Sequence, residues 1–300
     1  MPCAPVLPSA PMPFTPPADF RVPDLRFLEI GCLVPHERED PKRTQALTGK
    51  LQAEGVLRNP PVVAAAPQNQ QGPRSQRFVV LDGANRVSTL RAAGFPHIVA
   101  QVVPYEAPSV RLSTWHHALA VDRPEELERR LSKISGLSVK EQDLSHARAL
   151  LARREALAFL VRGNGSVLSL QGGRDVHRKN DLLNAIVDLY RGRHAYHRVT
   201  RDSIEEARAR YPDVTCLAVF PHFLPEEILT VALAGARLPA GISRHVIAWR
   251  ALRVHIPLDM MADRARGLAQ KNRWLSEWMA ERLAVNAVRF YEESTVLFDE

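Results

Sequence analysis

The decapeptide Phe78-Val79-Val80-Leu81-Asp82-Gly83-Ala84-Asn85-Arg86-Val87 runs an apolar strand into an acid and a glycine, and then opens a helix on Asn85 and Arg86. Such a strand-to-helix turn presents unpaired backbone N–H groups and the positive end of a helix, which together can hold phosphate oxygens. Gly83 allows the positive φ or close backbone approach that a tight phosphate turn needs. Arg86 offers a guanidinium fork for phosphate oxygens, and Asp82 can hold Mg²⁺ or order the turn. An Asp-Gly pair can also be a plain turn, with Arg86 in a surface ion pair.

Upstream, Val34-Pro35-His36-Glu37 follows a first predicted strand, Leu25 to Ile30. Pro35 stiffens the exit and leaves a carboxylate, Glu37, in a loop. A carboxylate within reach of an alcohol can take its proton as a bond to phosphorus forms. Phosphate held at one place and a base at another point to phosphoryl transfer onto a small hydroxyl substrate. A solvated loop acid is the plainer alternative.

Further strands are expected at Val62 to Ala66, Arg77 to Leu81 and Ile98 to Val103, with helices at Asp40 to Glu54 and Asn85 to Ala93. A polar loop, Gln68 to Gln76, separates two of these strands. Beyond Val110 the reading gives strands at Val110 to Thr114, Cys216 to Phe220 and His245 to Ala248. Helices are expected from Pro124 to Ser132, Ser145 to Leu160, Asn180 to Tyr190 and Pro225 to Ala236, and a long last helix carries Leu275, Trp278, Met279 and Leu283. The fold class is α+β: a proline-rich arm at 1–19 with seven prolines, a compact nucleotide-binding unit at 20–108, and a larger helix-rich α+β substrate region at 109–300.

Composition narrows the function. The 300 residues are 45% hydrophobic, enough to bury a real core. The net charge of +7 suits phosphorylated small molecules as well as nucleic acid, but the basic residues are interspersed with acids, so a dedicated nucleic-acid surface is not expected. No apolar run approaches the roughly 18 residues of a membrane span, and no secretory signal pattern opens the chain; a cytoplasmic protein is expected. Cys3, Cys32 and Cys216 are widely spaced and read as reduced thiols. Trp115-His116-His117 offers an aromatic wall with polar contacts, and Ser243-Arg244-His245, after Gly241, offers three polar heads able to clamp a carboxylate or phosphate. Adjacent histidines rarely share one metal, so zinc and iron are not expected.

The ordered series Leu33 to Glu37, Gly55 to Val62 and Val80 to Arg86 resembles the ParB/sulfiredoxin-like fold, in the branch that contains free L-serine kinases. The similarity extends through Leu112 to His116, Phe220-Pro221, Leu238 to His245, Arg250-Ala251-Leu252 and Val288 to Ser294. The resemblance implies ATP or ADP as phosphoryl donor, Mg²⁺, free L-serine as acceptor and O-phospho-L-serine as product. It places the catalytic base at Glu37 and the nucleotide and phosphate site at Asp82, Gly83, Ala84, Asn85 and Arg86. The amino acid is expected near His36, Trp115, His116, Ser243, Arg244 and His245. Asn85 stands where the family has histidine, which removes any acidic or cationic role there, and Ser243 replaces a threonine while keeping the hydroxyl. Sulfiredoxin chemistry requires a cysteine in the turn, where this chain has Ala84. The same fold also hosts ParB-like nucleotide-responsive DNA-binding or regulatory proteins, the alternative reading.

Overall fold

The computed structural model describes residues 22–67 and 76–291. The proline arm, Cys3, nearly all of the Gln68 to Gln76 loop and the chain beyond Tyr291 lie outside the described residues.

The N-terminal unit runs β1 (Leu25–Glu29), β2 (Leu33–Pro35), α1 (Pro41–Glu54), β3 (Val56–Leu57), β4 (Val62–Ala65), β5 (Phe78–Asp82), α2 (Ala84–Ala92) and β6 (His97–Val102). Five of these strands form one sheet in the order β1-β6-β4-β5-β2. Its two faces follow the period-two rule of a pleated strand: on β5, Val79 and Leu81 enter one core cluster while Phe78 and Val80 enter another. A sheet covered on both faces needs continuous apolar strands, which is why Phe78 to Leu81 shows no polar alternation.

The parallel register of β2 against β5 positions the site. Pro35 stands opposite Val80, so His36-Glu37 and Asp82-Gly83 leave the sheet side by side at the carboxyl ends of two parallel neighbours, where α/β sheets characteristically bind ligands.

The chain continues through β7 (Val110–Thr114), β8 (His116–Ala120), α3 (Pro124–Leu131), β9 (Leu137–Gln142), α4 (Leu144–Ala152), β10 (Ala158–Arg162), β11 (Val167–Gly172), α5 (Val176–Asp188), β12 (Ala195–Val199), α6 (Ile204–Arg210), β13 (Cys216–Val219) and α7 (Pro225–Leu233). A second, antiparallel sheet takes the order β12-β8-β13-β10-β11-β9. The helix expected from Ser145 to Leu160 ends at Ala152: Arg154 adopts φ 64°, and the following apolar run becomes β10. On β10, Ala158 and Leu160 face one core and Phe159 and Val161 another.

The last elements are β14 (Ser243–Ile247), β15 (Ile256–Pro257), α8 (Leu258–Ala262) and α9 (Leu268–Ala284). Strand β14 pairs with β7, and β15 with β3. The expected division at 108/109 places all of 109–300 in one region, but the chain after Ile256 returns to the first sheet. Trp274 of α9 meets Phe27 edge-on at 6.2 Å, and the Asn272 amide accepts from the Phe27 N–H at 2.8 Å and donates to the Phe27 carbonyl at 3.1 Å. One core cluster joins Val62, Val79 and Leu81 of the first sheet to Leu119, Leu160 and Ile242, so the two sheets share a buried interior. Among the described residues no helix is long and apolar enough to cross a membrane, and Cys32 and Cys216 are free thiols.

Candidate active site

A cleft of about 900 Å³ opens between the two sheets. It is lined by His36, Glu37, Asp82, Gly83, Ala84, Asn85, Arg86, Trp115, Ser243, Arg244 and His245, which is every residue the resemblance places at the site except His116. His116 is buried on β8, where its Nδ1 accepts from the Phe220 N–H at 3.2 Å. Burial pushes its pKa down to about 4. It supports the wall rather than lining the cleft.

Glu37 is fixed from the far end of the chain. The loop before β14 runs alongside it: the Leu238 N–H donates to the His36 carbonyl and the Arg38 N–H to the Leu238 carbonyl, both at 2.8 Å. This brings the Gly241 and Ser243 N–H groups to 3.1 Å from the Glu37 carboxylate, with the Ser243 hydroxyl donating to Oε1 at 2.5 Å. Oε1 thus takes two donors and Oε2 one. A carboxylate oxygen accepts about two hydrogen bonds, so Oε2 keeps one acceptor position. Burial raises the Glu37 pKa, but His36, Ser243 and the Gly241 N–H together outweigh it and hold the carboxyl at about 2.

His36 closes this network. Its Nδ1 lies 2.5 Å from the Val80 carbonyl and its Nε2 lies 2.7 Å from the Ser243 hydroxyl oxygen. A carbonyl only accepts, and Ser243 directs its one proton to Glu37, so both ring nitrogens act as donors. His245 packs edge-on against His36 at 4.9 Å and meets the Tyr105 hydroxyl at 2.8 Å; burial, reinforced by His36, pushes its pKa down to about 3.

The turn after β5 is built for glycine. Gly83 has φ 87°, and a Cβ there would fall 2.9 Å from the Pro61 Cβ and 3.0 Å from the Pro61 Cα. No side chain caps the start of α2, so its first N–H groups point outward. Asp82 Oδ2 accepts from Arg86 at 2.7 Å and also from Arg250, whereas Arg86 additionally donates to the Asn59 carbonyl at 2.6 Å. Arg86 therefore staples the turn as well as charging it. The Asp82 carboxyl is lowered in pKa: burial opposes the ionised form, but Arg86 and Arg250 prevail. Among the described residues no donor to its Oδ1 is found. Among the described residues no group of three or more His, Cys, Asp or Glu side chains could hold a metal ion.

Asn85 accepts from the Asp40 N–H at 3.1 Å through its amide oxygen, tying the starts of α1 and α2 together at the cleft wall. A neutral imidazole nitrogen could make the same contact only in one tautomer. Arg244 lies over the Trp115 ring, 4.6 Å from its centroid, and the Trp115 N–H donates to the Ile242 carbonyl at 2.9 Å.

Several cleft residues carry no sequence motif. Leu47 and Leu51 from α1 and Val56 and Leu57 from β3 give it an apolar wall, while Arg250 and Arg198 add charge. His117 lies behind it, fully buried, with Nε2 at 2.9 Å from the Gly241 carbonyl and Nδ1 at 2.7 Å from the Tyr190 hydroxyl. Burial pushes its pKa down to about 4. Only its position next to His116 drew attention in the sequence; its role is set by strand pairing.

No protein-family model matches the chain. It is 22% identical over 283 residues to the ATP-dependent L-serine kinase SbnI of Staphylococcus aureus, covering 92% of this chain and 97% of that protein. It is 20% identical over 237 residues to an ATP-dependent L-serine kinase of Desulfurococcus mucosus, covering 78% and 90%. Among solved structures, a free serine kinase in complex with AMP superposes with a TM-score of 0.67 at 19% identity, covering 85% of this chain and 98% of that one. A C-terminally truncated SbnI superposes with a TM-score of 0.64. The chain is thus similar end to end in sequence to ATP-dependent L-serine kinases and shares the α+β fold of the solved free serine kinases.

Proposed function

We propose that this protein transfers the terminal phosphoryl group of ATP to the hydroxyl of free L-serine, giving O-phospho-L-serine and ADP. The observation that carries the reading is the parallel pairing of β2 with β5, which sets a carboxylate with one open acceptor position and an uncapped helix start on the walls of one cleft. The names of the relatives, ATP-dependent L-serine kinases, supply the donor and the acceptor.

In this reading the donor phosphates lie against the N–H groups that follow Gly83, with Arg86 and Arg250 adding positive charge and the base of the nucleotide resting on the apolar wall. The serine hydroxyl donates to Glu37 Oε2. As the serine oxygen bonds to phosphorus and the bridging oxygen departs with ADP, the hydroxyl proton passes to Glu37 and from there to solvent. A carboxylate held near pKa 2 is a weak base but an ever-ready one. Phosphoryl transfer through a loose transition state requires the proton late, when the attacking oxygen has become acidic. Mg²⁺ carried by the nucleotide would find Asp82 Oδ1 and would offset charge on the phosphate oxygens.

The DNA-binding alternative has no observation of its own: Arg86 and Arg250 turn onto Asp82 within the cleft. Incubating the purified protein with ATP, Mg²⁺ and L-serine and following ³¹P resonances tests the proposal. A new phosphomonoester co-eluting with O-phosphoserine is expected; its absence rejects the assignment. ADP in a parallel reaction identifies the donor.

A further inference from the structure

Arg198 belongs to no motif, yet it reaches the same cleft as Glu37. It lies on β12, an edge strand, directly opposite His117 on β8, and its half-buried side chain crosses the Gly241 backbone. A Cβ built on Gly241 would fall 2.4 to 2.5 Å from three atoms of the Arg198 guanidinium. Gly241 is also the residue whose N–H holds Glu37 Oε2 at 3.1 Å. Glycine at 241 therefore serves two ends at once: a φ of 79° and room for this arginine.

The charge of Arg198 is uncommitted. Neither a hydrogen bond nor an ion pair to it is found among the described residues, and no ion pair joins it to Glu37. The other guanidinium groups here differ: Arg86 and Arg250 are fixed on Asp82, and Arg244 rests on the Trp115 ring. A half-buried guanidinium with no protein anion can take one from solution, and a planar carboxylate matches its fork. Size decides which anion. In a small hydroxy acid the hydroxyl oxygen and the carboxylate are a few bonds apart, so the group that binds the carboxylate must lie near the base, and Arg198 crosses the residue whose N–H holds that base.

We propose that Arg198 clamps the α-carboxylate of the acceptor and so selects free hydroxy amino acids over hydroxyl compounds that lack the carboxylate. This inference rests on the amino-acid acceptor assigned above.

Calorimetric titration in the presence of ADP separates the two, because it needs no turnover. Three proteins are compared, the parent, Arg198→Met and Arg198→Lys, with L-serine and with L-serinamide. The parent should bind L-serine more tightly than serinamide. Arg198→Met should weaken L-serine about 10- to 100-fold, the range for a charge-assisted hydrogen-bonded pair, with serinamide unchanged, and Arg198→Lys should recover part of the loss because the charge remains but the fork does not. Unchanged thermal unfolding of both variants excludes a folding defect. Equal binding of L-serine by the parent and both variants overturns the clamp while leaving the kinase reading intact. Equal weakening of serine and serinamide overturns it as well. A parent that binds L-serine through Arg198 but forms no phosphoserine overturns the kinase reading and keeps the clamp. No binding of L-serine by the parent overturns both.

Discussion

The Ser243 hydroxyl donates to the Glu37 carboxylate at 2.5 Å across 206 positions of chain. This contact, with the two N–H groups beside it, makes a carboxylate in a half-buried loop an obligate anion with a fixed direction. The cleft depends on the end of the chain coming back to its beginning.

Replacing Glu37 with Gln keeps the size and removes the base. The expected loss in kcat is about 10²- to 10⁴-fold, with the KM for ATP little changed because the phosphate turn is untouched. Steady-state kinetics with each substrate varied checks this. An activity equal to the parent's would mean that Glu37 is not the base.

The pH dependence of stability has a definite sign. Glu37 titrates lower in the folded protein, at about 2, than its ordinary value of 4.5. A depressed carboxyl contributes stability that is complete above about pH 4.5 and is lost as the pH falls toward 2. Across that window the parent should lose up to roughly 3 kcal/mol more than Glu37→Gln. Urea unfolding of both proteins at pH 6, 4 and 3 measures the difference. For the same reason, an acid limb in kcat/KM between pH 4 and 6 should not arise from Glu37.

Gly83→Ala forces an L side chain into φ 87° and against Pro61. The conformation costs about 1–2 kcal/mol and the overlap about 1–3 kcal/mol. Chemical denaturation should show a loss in this combined range, with ATP affinity reduced and L-serine affinity preserved. Parent-like stability and ATP binding would show that the turn tolerates a Cβ and does not shape the nucleotide site.

His117→Phe keeps the ring in its aromatic neighbourhood but leaves the Gly241 carbonyl and the Tyr190 hydroxyl without their partner. Each unsatisfied buried group costs about 1–3 kcal/mol. Because Gly241 orients Glu37, kcat should fall along with stability, and the KM for ATP should hold. A variant that loses stability but retains kcat would show that the loop is positioned without His117.

Much of this was legible from short motifs. The strand and glycine of Phe78 to Gly83, the helix from Asp40 to Glu54 and the loop around Gly241 carry local rules that survive folding, and the structure gathers Glu37, Gly83 and Ser243 around one cleft. What was missed follows from long-range pairing. Ser145 to Leu160 has a composition that fits a helix, but its end, from Ala158, belongs to the central strand β10, buried on both faces, and a continuous apolar run does not distinguish the two. His116 and His117 look like cleft residues until β8 sends them to opposite faces of a sheet that is covered on both sides. Arg198 is one arginine among many on a short edge strand; its importance comes only from crossing Gly241.

The most direct measurement is a crystal structure of the protein with ADP and L-serine bound. The serine hydroxyl oxygen should lie within about 2.6–3.2 Å of Glu37 Oε2, facing the phosphate held at the Gly83 turn. A serine bound with its hydroxyl turned away from Glu37, or a nucleotide whose phosphates avoid the start of α2, would contradict this placement.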